Sequence, residues 1–266
     1  MSAVPTTSPL QARRRLRGRL GDLSLHGLTL AAALACLVLA GAIVWKIVAL
    51  AGPSFDRFGL GFVTARAWDP VKHVFGALPF IYGTAVSSLV ALVIATPLAI
   101  AIGLYLSELA PRGVRGIVGS LVELLAAIPS VVLGLWGILV LGPFLAHHVE
   151  PWLHSTLGFI PLFGDPQQTG QGLFTAAVIL GLGRAVGEAI AVTQVIGGGT
   201  RIGWSLFPPA DTLASKIASS YQGAGSGIET SSLLYLAAIL LVLGLIANLI
   251  AQVIVRRFDP LRGTRE

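Results

Sequence analysis

A chain of 266 residues that is 55% hydrophobic, only 11% charged and of mean hydropathy +0.83 is too apolar for an ordinary soluble domain. Several uncharged runs exceed the ~18 residues that mark a candidate membrane helix, so an integral membrane protein of all-α class is expected. The net charge of +6 does not argue for nucleic acid, because the basic residues sit in short loops and at both ends, as the positive-inside bias demands, without the aromatic–basic interleaving of a nucleic-acid surface.

Residues 1–27 are polar and basic, with Arg13, Arg14, Arg15, Arg17 and Arg19 forming the densest cluster, and are expected to lie in the cytoplasm against anionic headgroups. The first apolar stretch covers about 28–50. It continues well past Cys36, the one cysteine, and is too long for the core of a signal peptide. A single cysteine also excludes a disulfide framework or a cysteine-based metal site. The second stretch, about 80–106, is uncharged and holds Pro97, which frees a backbone carbonyl and predicts a kink. A short turn with Arg112 and Arg115 leads to the third stretch, about 117–146. There Pro129 and Ser130 predict a helix break at membrane depth. Residues 147–171 read as a loop without Lys or Arg, which argues for the outer side. His147, His148 and His154 lie there with Glu150 and Asp165, at spacings that match no metal-ligand template.

The fourth stretch, 172–196, is the unusual one. It is apolar except for Arg184 and Glu188, four residues apart and therefore able to share one helix face. An ionisable residue in an apolar span costs roughly 2.5–3.5 kcal/mol, so such residues are paired or line a polar pathway. Gly181, Gly183 and Gly187 remove bulk around the pair. A Gly/Pro-rich loop, 197–231, precedes the last stretch, about 232–255, and residues 256–266 form a basic tail expected in the cytoplasm. The membrane region thus spans 28–255. No nucleotide-binding loop or nucleophile–base constellation occurs, so the chain is not read as an enzyme, and no cofactor or metal is expected.

The charges then pose a problem. The N-terminal arginines, the Arg112/Arg115 turn and Arg256, Arg257, Arg262 and Arg265 all ask for the cytoplasmic side. That requires an even number of crossings, whereas five stretches are apolar. Either 172–196 does not cross fully, or a span is missing.

Three stretches carry a family resemblance: FGALPFIYGTAVSSLVALVIATPLAIAIGLYLSELAP (75–111), ELLAAIPSVVLGLWG (123–137) and ILGLGRAVGEAIAVTQVIG (179–197). They resemble the PstC-type permease of phosphate-importing ABC transporters, over roughly residues 30–255. The resemblance implies a type I importer transmembrane domain with six spans, where about five hydrophobic helices are seen here. It also implies two cytoplasmic termini in the bacterial inner membrane. The implied partners are a second, PstA-like permease, PstB-like ATPase subunits and an extracytoplasmic phosphate-binding protein. Arg184 and Glu188 match the family's Gly-Arg-Ala-x-Gly-Glu pattern, which implies a part in phosphate passage, with Ser130 and Thr193 as further candidates along the path. The family's cytoplasmic Glu-Ala-Ala coupling loop between its fourth and fifth spans has no match. GQGLFTA (170–176) resembles the start of the fourth span and AVILGLGRAVGE (177–188) the fifth, joined at Ala176–Ala177. Two alternatives stay open: a permease for another oxyanion such as molybdate or sulfate, and a truncated membrane subunit that does not transport.

Overall fold

In a computed structural model, which describes residues 9–182, 189–225 and 227–258, every extended element is helical and the pairings outside helices are two isolated bridges. The helices are α1 (Pro9–Phe58), α2 (Gly61–Thr64), α3 (Leu78–Leu104), α4 (Arg112–Ala127), α5 (Ser130–Trp136), α6 (Gly142–Phe144), α7 (Glu150–Leu157), α8 (Leu173–Leu182), α9 (Ala189–Val195), α10 (Leu213–Ser220) and α11 (Gly227–Phe258). Among the described residues, four helical runs are long and apolar enough to cross a bilayer: Leu25–Phe58, Leu78–Leu109, Ser130–Leu157 and Gly227–Arg257.

The chain divides into two units, before and after Ala49. The first is the leading part of α1, whose side chains from Leu25 to Ala49 are exposed except for a half-buried Ile47. An apolar helix exposed on all sides requires a non-aqueous surrounding.

In the second unit, two apolar cores hold the helices together at one end. The first gathers Ala51, Phe62, Phe75, Phe80, Leu213, Leu233, Tyr235 and Leu236. Aromatic rings dominate it. Phe62 stacks on Tyr235 at 4.4 Å, and Trp68 meets Phe75 and Phe80 edge-on at 4.9 and 5.3 Å. Small polar residues close the contact between the end of α1 and α11. Ser54 N donates to Ser231 Oγ at 2.9 Å, and the Ser54 and Ser232 hydroxyls lie 2.7 Å apart. Serines of this size let two helix backbones approach while satisfying each other's polar atoms. The second core packs α8 and α9 against α3 and residues 206–210.

The third span differs from its expected bounds of 117–146. Pro129 (φ −59°, ψ 137°) is extended and separates α4 from α5, so the crossing helix starts at Ser130 and runs on to Leu157. Proline disfavours helical geometry in the residue before it and lacks the N–H that would continue the ladder. Residues 147–157, expected in a loop, belong to this helix. It carries π-helical turns at Gly137–Leu141 and Leu145–Val149, each followed within two or so residues by a proline, Pro143 and Pro151. Widening the helix by one residue absorbs the missing donor and the ring's bulk. α3 keeps Pro97 inside a continuous helix and ends in a third π turn, Tyr105–Leu109.

Candidate functional site: a helical hairpin that returns to its starting point

The stretch 172–196 forms two short helices rather than one long one. α8 has 10 residues and α9 has 7. Gly172 N donates to Val195 O at 3.1 Å, so the first and last residues of the stretch are neighbours. A chain segment whose ends meet cannot have crossed a bilayer. Among the described residues this stretch is not one of the four runs long and apolar enough to cross a bilayer.

The base of the hairpin is held by backbone hydrogen bonds from loops on either side. Phe174 N donates to Leu206 O at 2.8 Å, and Leu206 N to Leu162 O at 3.0 Å. The Thr175 hydroxyl donates to Gly170 O at 2.7 Å. The otherwise orphaned first-turn donors of α8 therefore find partners. Gly197 and Gly198 (φ +85° and +73°) turn the chain out of α9 in the left-handed region that glycine tolerates best. Leu173, Phe174, Ala176, Ala177, Ile179 and Leu180 are all buried, which is why α8 is apolar all round. The helix runs without a break through Ala176–Ala177, the junction expected from the resemblance.

Arg184 and Glu188 fall on 183–188, outside the described residues. The described residues of α8 run up to Leu182 and those of α9 start at Ala189. Ser130 and Thr193 are described. Ser130 is half-buried in the first turn of α5, and Thr193 is half-buried on α9, the helix against which α5 packs.

The close approach of α5 to α9 depends on glycine. A Cβ on Gly134 would stand 2.1 Å from Gln194 Oε1 and 3.0 Å from Ala191 Cα, and one on Gly137 would stand 2.3 Å from Ile179 Cδ1. Ser130 and Gly134, four residues apart, share a face of α5, and Gly137 follows in the π turn. Among the described residues Gln194 Oε1 is buried there without a hydrogen-bond partner, and such an acceptor is uncommon in a folded interior. Sequence reasoning passed over Gln194, although a glutamine in the apolar run AIAVTQVIG was a legible signal.

Two of the histidines in 147–154 make contacts within the fold. His148 stacks on Phe144, and His154 Nδ1 donates to Phe163 O at 3.0 Å. Glu150 Oε2 accepts from Gln167 N at 3.0 Å. Among the described residues no group of three or more His, Cys, Asp or Glu could hold a metal.

On the connecting loop, Asp211 is buried beside the start of α10. Its Oδ1 accepts from the Ser215 hydroxyl at 2.9 Å and its Oδ2 from Gly199 N at 3.3 Å. Burial pushes its pKa up, and the Ser215 hydrogen bond, the Lys216 charge and the Gly199 amide oppose that rise. Lys216 Nζ lies over the Trp68 and Phe80 rings at 5.3 and 5.9 Å, which holds the cation in a partly apolar place.

No family model matches the chain, and no solved structure matches it. Curated proteins do. The chain is 36% identical to the phosphate transport system permease protein PstC of Mesorhizobium japonicum, over 99% of this chain and all of that one. It is 31% identical to the PstC of Pasteurella multocida, over 86% of this chain and 89% of that protein. The PstC of Haemophilus influenzae is 30% identical over 87% and 92%. The first alignment runs over 327 positions against 266 residues here, so at least 61 positions of that relative have no counterpart in this chain. The chain is a multi-pass membrane protein, a transport subunit rather than an enzyme, and it belongs to the PstC family of phosphate transport system permeases.

Proposed function

We propose that this chain is the permease subunit of an ATP-driven inorganic phosphate importer and forms part of its translocation path. The similarity to PstC proteins over nearly the whole chain carries this reading. In it, residues 28–255 are the membrane domain, while 1–27 and 256–266 lie in the cytoplasm of a bacterium, at its inner membrane. A PstA-like permease completes the path, PstB-like subunits hydrolyse ATP, and an extracytoplasmic binding protein delivers phosphate. Four crossings bring both ends to one side, as their arginines ask.

Arg184 is the residue proposed to handle the anion. A guanidinium keeps its charge at any working pH and offers forked donors to two phosphate oxygens. Glu188 would hold that fork in place and keep anion binding weak enough for release. Ser130 and Thr193 offer hydroxyls along α5 and α9. Phosphate uptake in cells lacking their own permease, with the partner subunits supplied, tests the reading. Uptake should occur with this chain, fall by roughly a hundredfold in Arg184→Ala, and be competed by phosphate rather than by sulfate or molybdate.

A specific observation favours a second reading. The relatives' additional 61 or more positions and the hairpin that replaces a crossing both fit the loss of the region in which the family's ATPase-docking loop is expected. A chain without that loop would assemble with its sister permease and leave ATP hydrolysis uncoupled. Co-purification with the permease, joined to an absence of ATP-stimulated uptake, would decide for this reading.

A further inference from the structure

A cavity of about 390 Å³ opens at the same end of the helices as the base of the hairpin. Tyr82, Leu173, Arg201, Ser205, Pro208 and Pro209 are among the residues that line it. Leu173 is the first residue of α8, so the cavity borders the hairpin base, and α8 leads from it toward residues 183–188. Two features keep its wall in place. The Tyr82 hydroxyl, from the first turns of α3, donates to Gly203 O, and Phe174 N donates to Leu206 O.

The chemistry of the wall is that of an anion site. Arg201 is the one cation among its lining residues, is exposed, and among the described residues has no carboxylate within ion-pair distance. Ser205 Oγ accepts from Phe207 N at 3.4 Å, and no acceptor among the described residues takes its own proton. The neighbouring carboxylate, Asp211, is turned to Ser215 and Gly199. The prolines and Leu173 make much of the remaining wall apolar, which strengthens an ionic contact by excluding water. A guanidinium and a hydroxyl on the wall of one cavity suit the oxygens of a tetrahedral oxyanion.

We infer that this cavity is an oxyanion-binding vestibule, in which Arg201 and Ser205 hold inorganic phosphate at the outer mouth before it reaches the hairpin. The inference rests on the phosphate-importer reading for the identity of the anion, and on the cavity alone for the site. It requires neither partner subunits nor ATP.

The test titrates inorganic phosphate into the full chain in lipid nanodiscs, reading the fluorescence of Trp204, which neighbours Gly203 and Ser205 and is 77% exposed. Trp204→Phe identifies the signal's source. Saturable binding is expected, weakened roughly tenfold or more in Arg201→Ala and several-fold in Arg201→Lys, which keeps the charge and loses the fork. Absence of saturable binding, or undiminished binding in Arg201→Ala, overturns the vestibule. Loss of binding in Arg184→Ala with Arg201→Ala unaffected also overturns it, and moves the site to the hairpin while leaving the importer reading intact. Binding through Arg201 by a chain that imports nothing keeps the vestibule and removes the importer.

Discussion

Gly134 shows how a single missing side chain sets a helix contact. A Cβ there would meet Gln194 Oε1 and Ala191 Cα, so a methyl group must displace a movable amide and crowd a fixed backbone atom. Gly134→Ala should therefore destabilise the chain by about 1–3 kcal/mol through overpacking. Gly116→Ala, in α4 with nothing within 4 Å of its Cβ position, should be neutral or slightly stabilising by helix propensity. Thermal unfolding of the two purified variants checks the contrast. Asp211 gives a prediction of the opposite kind. Its carboxyl titrates above its ordinary 3.8 in the folded chain because burial disfavours the charge. The folded state then holds the proton to higher pH than the unfolded state does. Stability contributed by the protonated form is present at low pH and is lost as pH rises from 3.8 through the folded pKa. Melting temperatures of the unaltered chain, relative to Asp211→Asn, should fall across that rise. A flat difference would contradict it.

The elements follow rules that the sequence states locally. α10 begins with a capping box, in which the Thr212 hydroxyl accepts from Ser215 N at 3.0 Å and Ser215 Oγ accepts from Thr212 N at 2.7 Å. Thr212→Ala removes one arm of the box and should cost about 1 kcal/mol in thermal or denaturant unfolding. Thr212→Ser should restore most of it. The break at Pro129 was equally legible, since proline cannot continue the preceding helix. The helical course of 147–157 was not. His147, His148 and Glu150 read as loop residues, and the helix there is kept by widened turns at Pro143 and Pro151 rather than by propensity.

At the scale of the whole molecule, the number of crossings governs everything else. Four crossing helices and a hairpin that returns to its base predict a cytoplasmic C-terminus. A fluorescent protein that lights only in the cytoplasm, fused after Glu266, should be bright. A dark fusion with an active outside reporter would mean five crossings and would contradict the hairpin.

From the sequence alone came the membrane class, the break before Ser130 and the family resemblance. Each rests on composition or local chemistry that does not depend on the path of the chain. Charge placement even required an even count of crossings. It could not say which stretch failed to cross, because a run of apolar residues has the same hydropathy whether it spans lipid or is buried as a half-length helix between others. That was decided by contacts between residues far apart in the chain: Gly172 with Val195, Phe174 with Leu206, and Gly134 with Gln194. Only the tertiary structure could also show that Arg201, an ordinary loop arginine in the sequence, lines a cavity beside the first residue of α8.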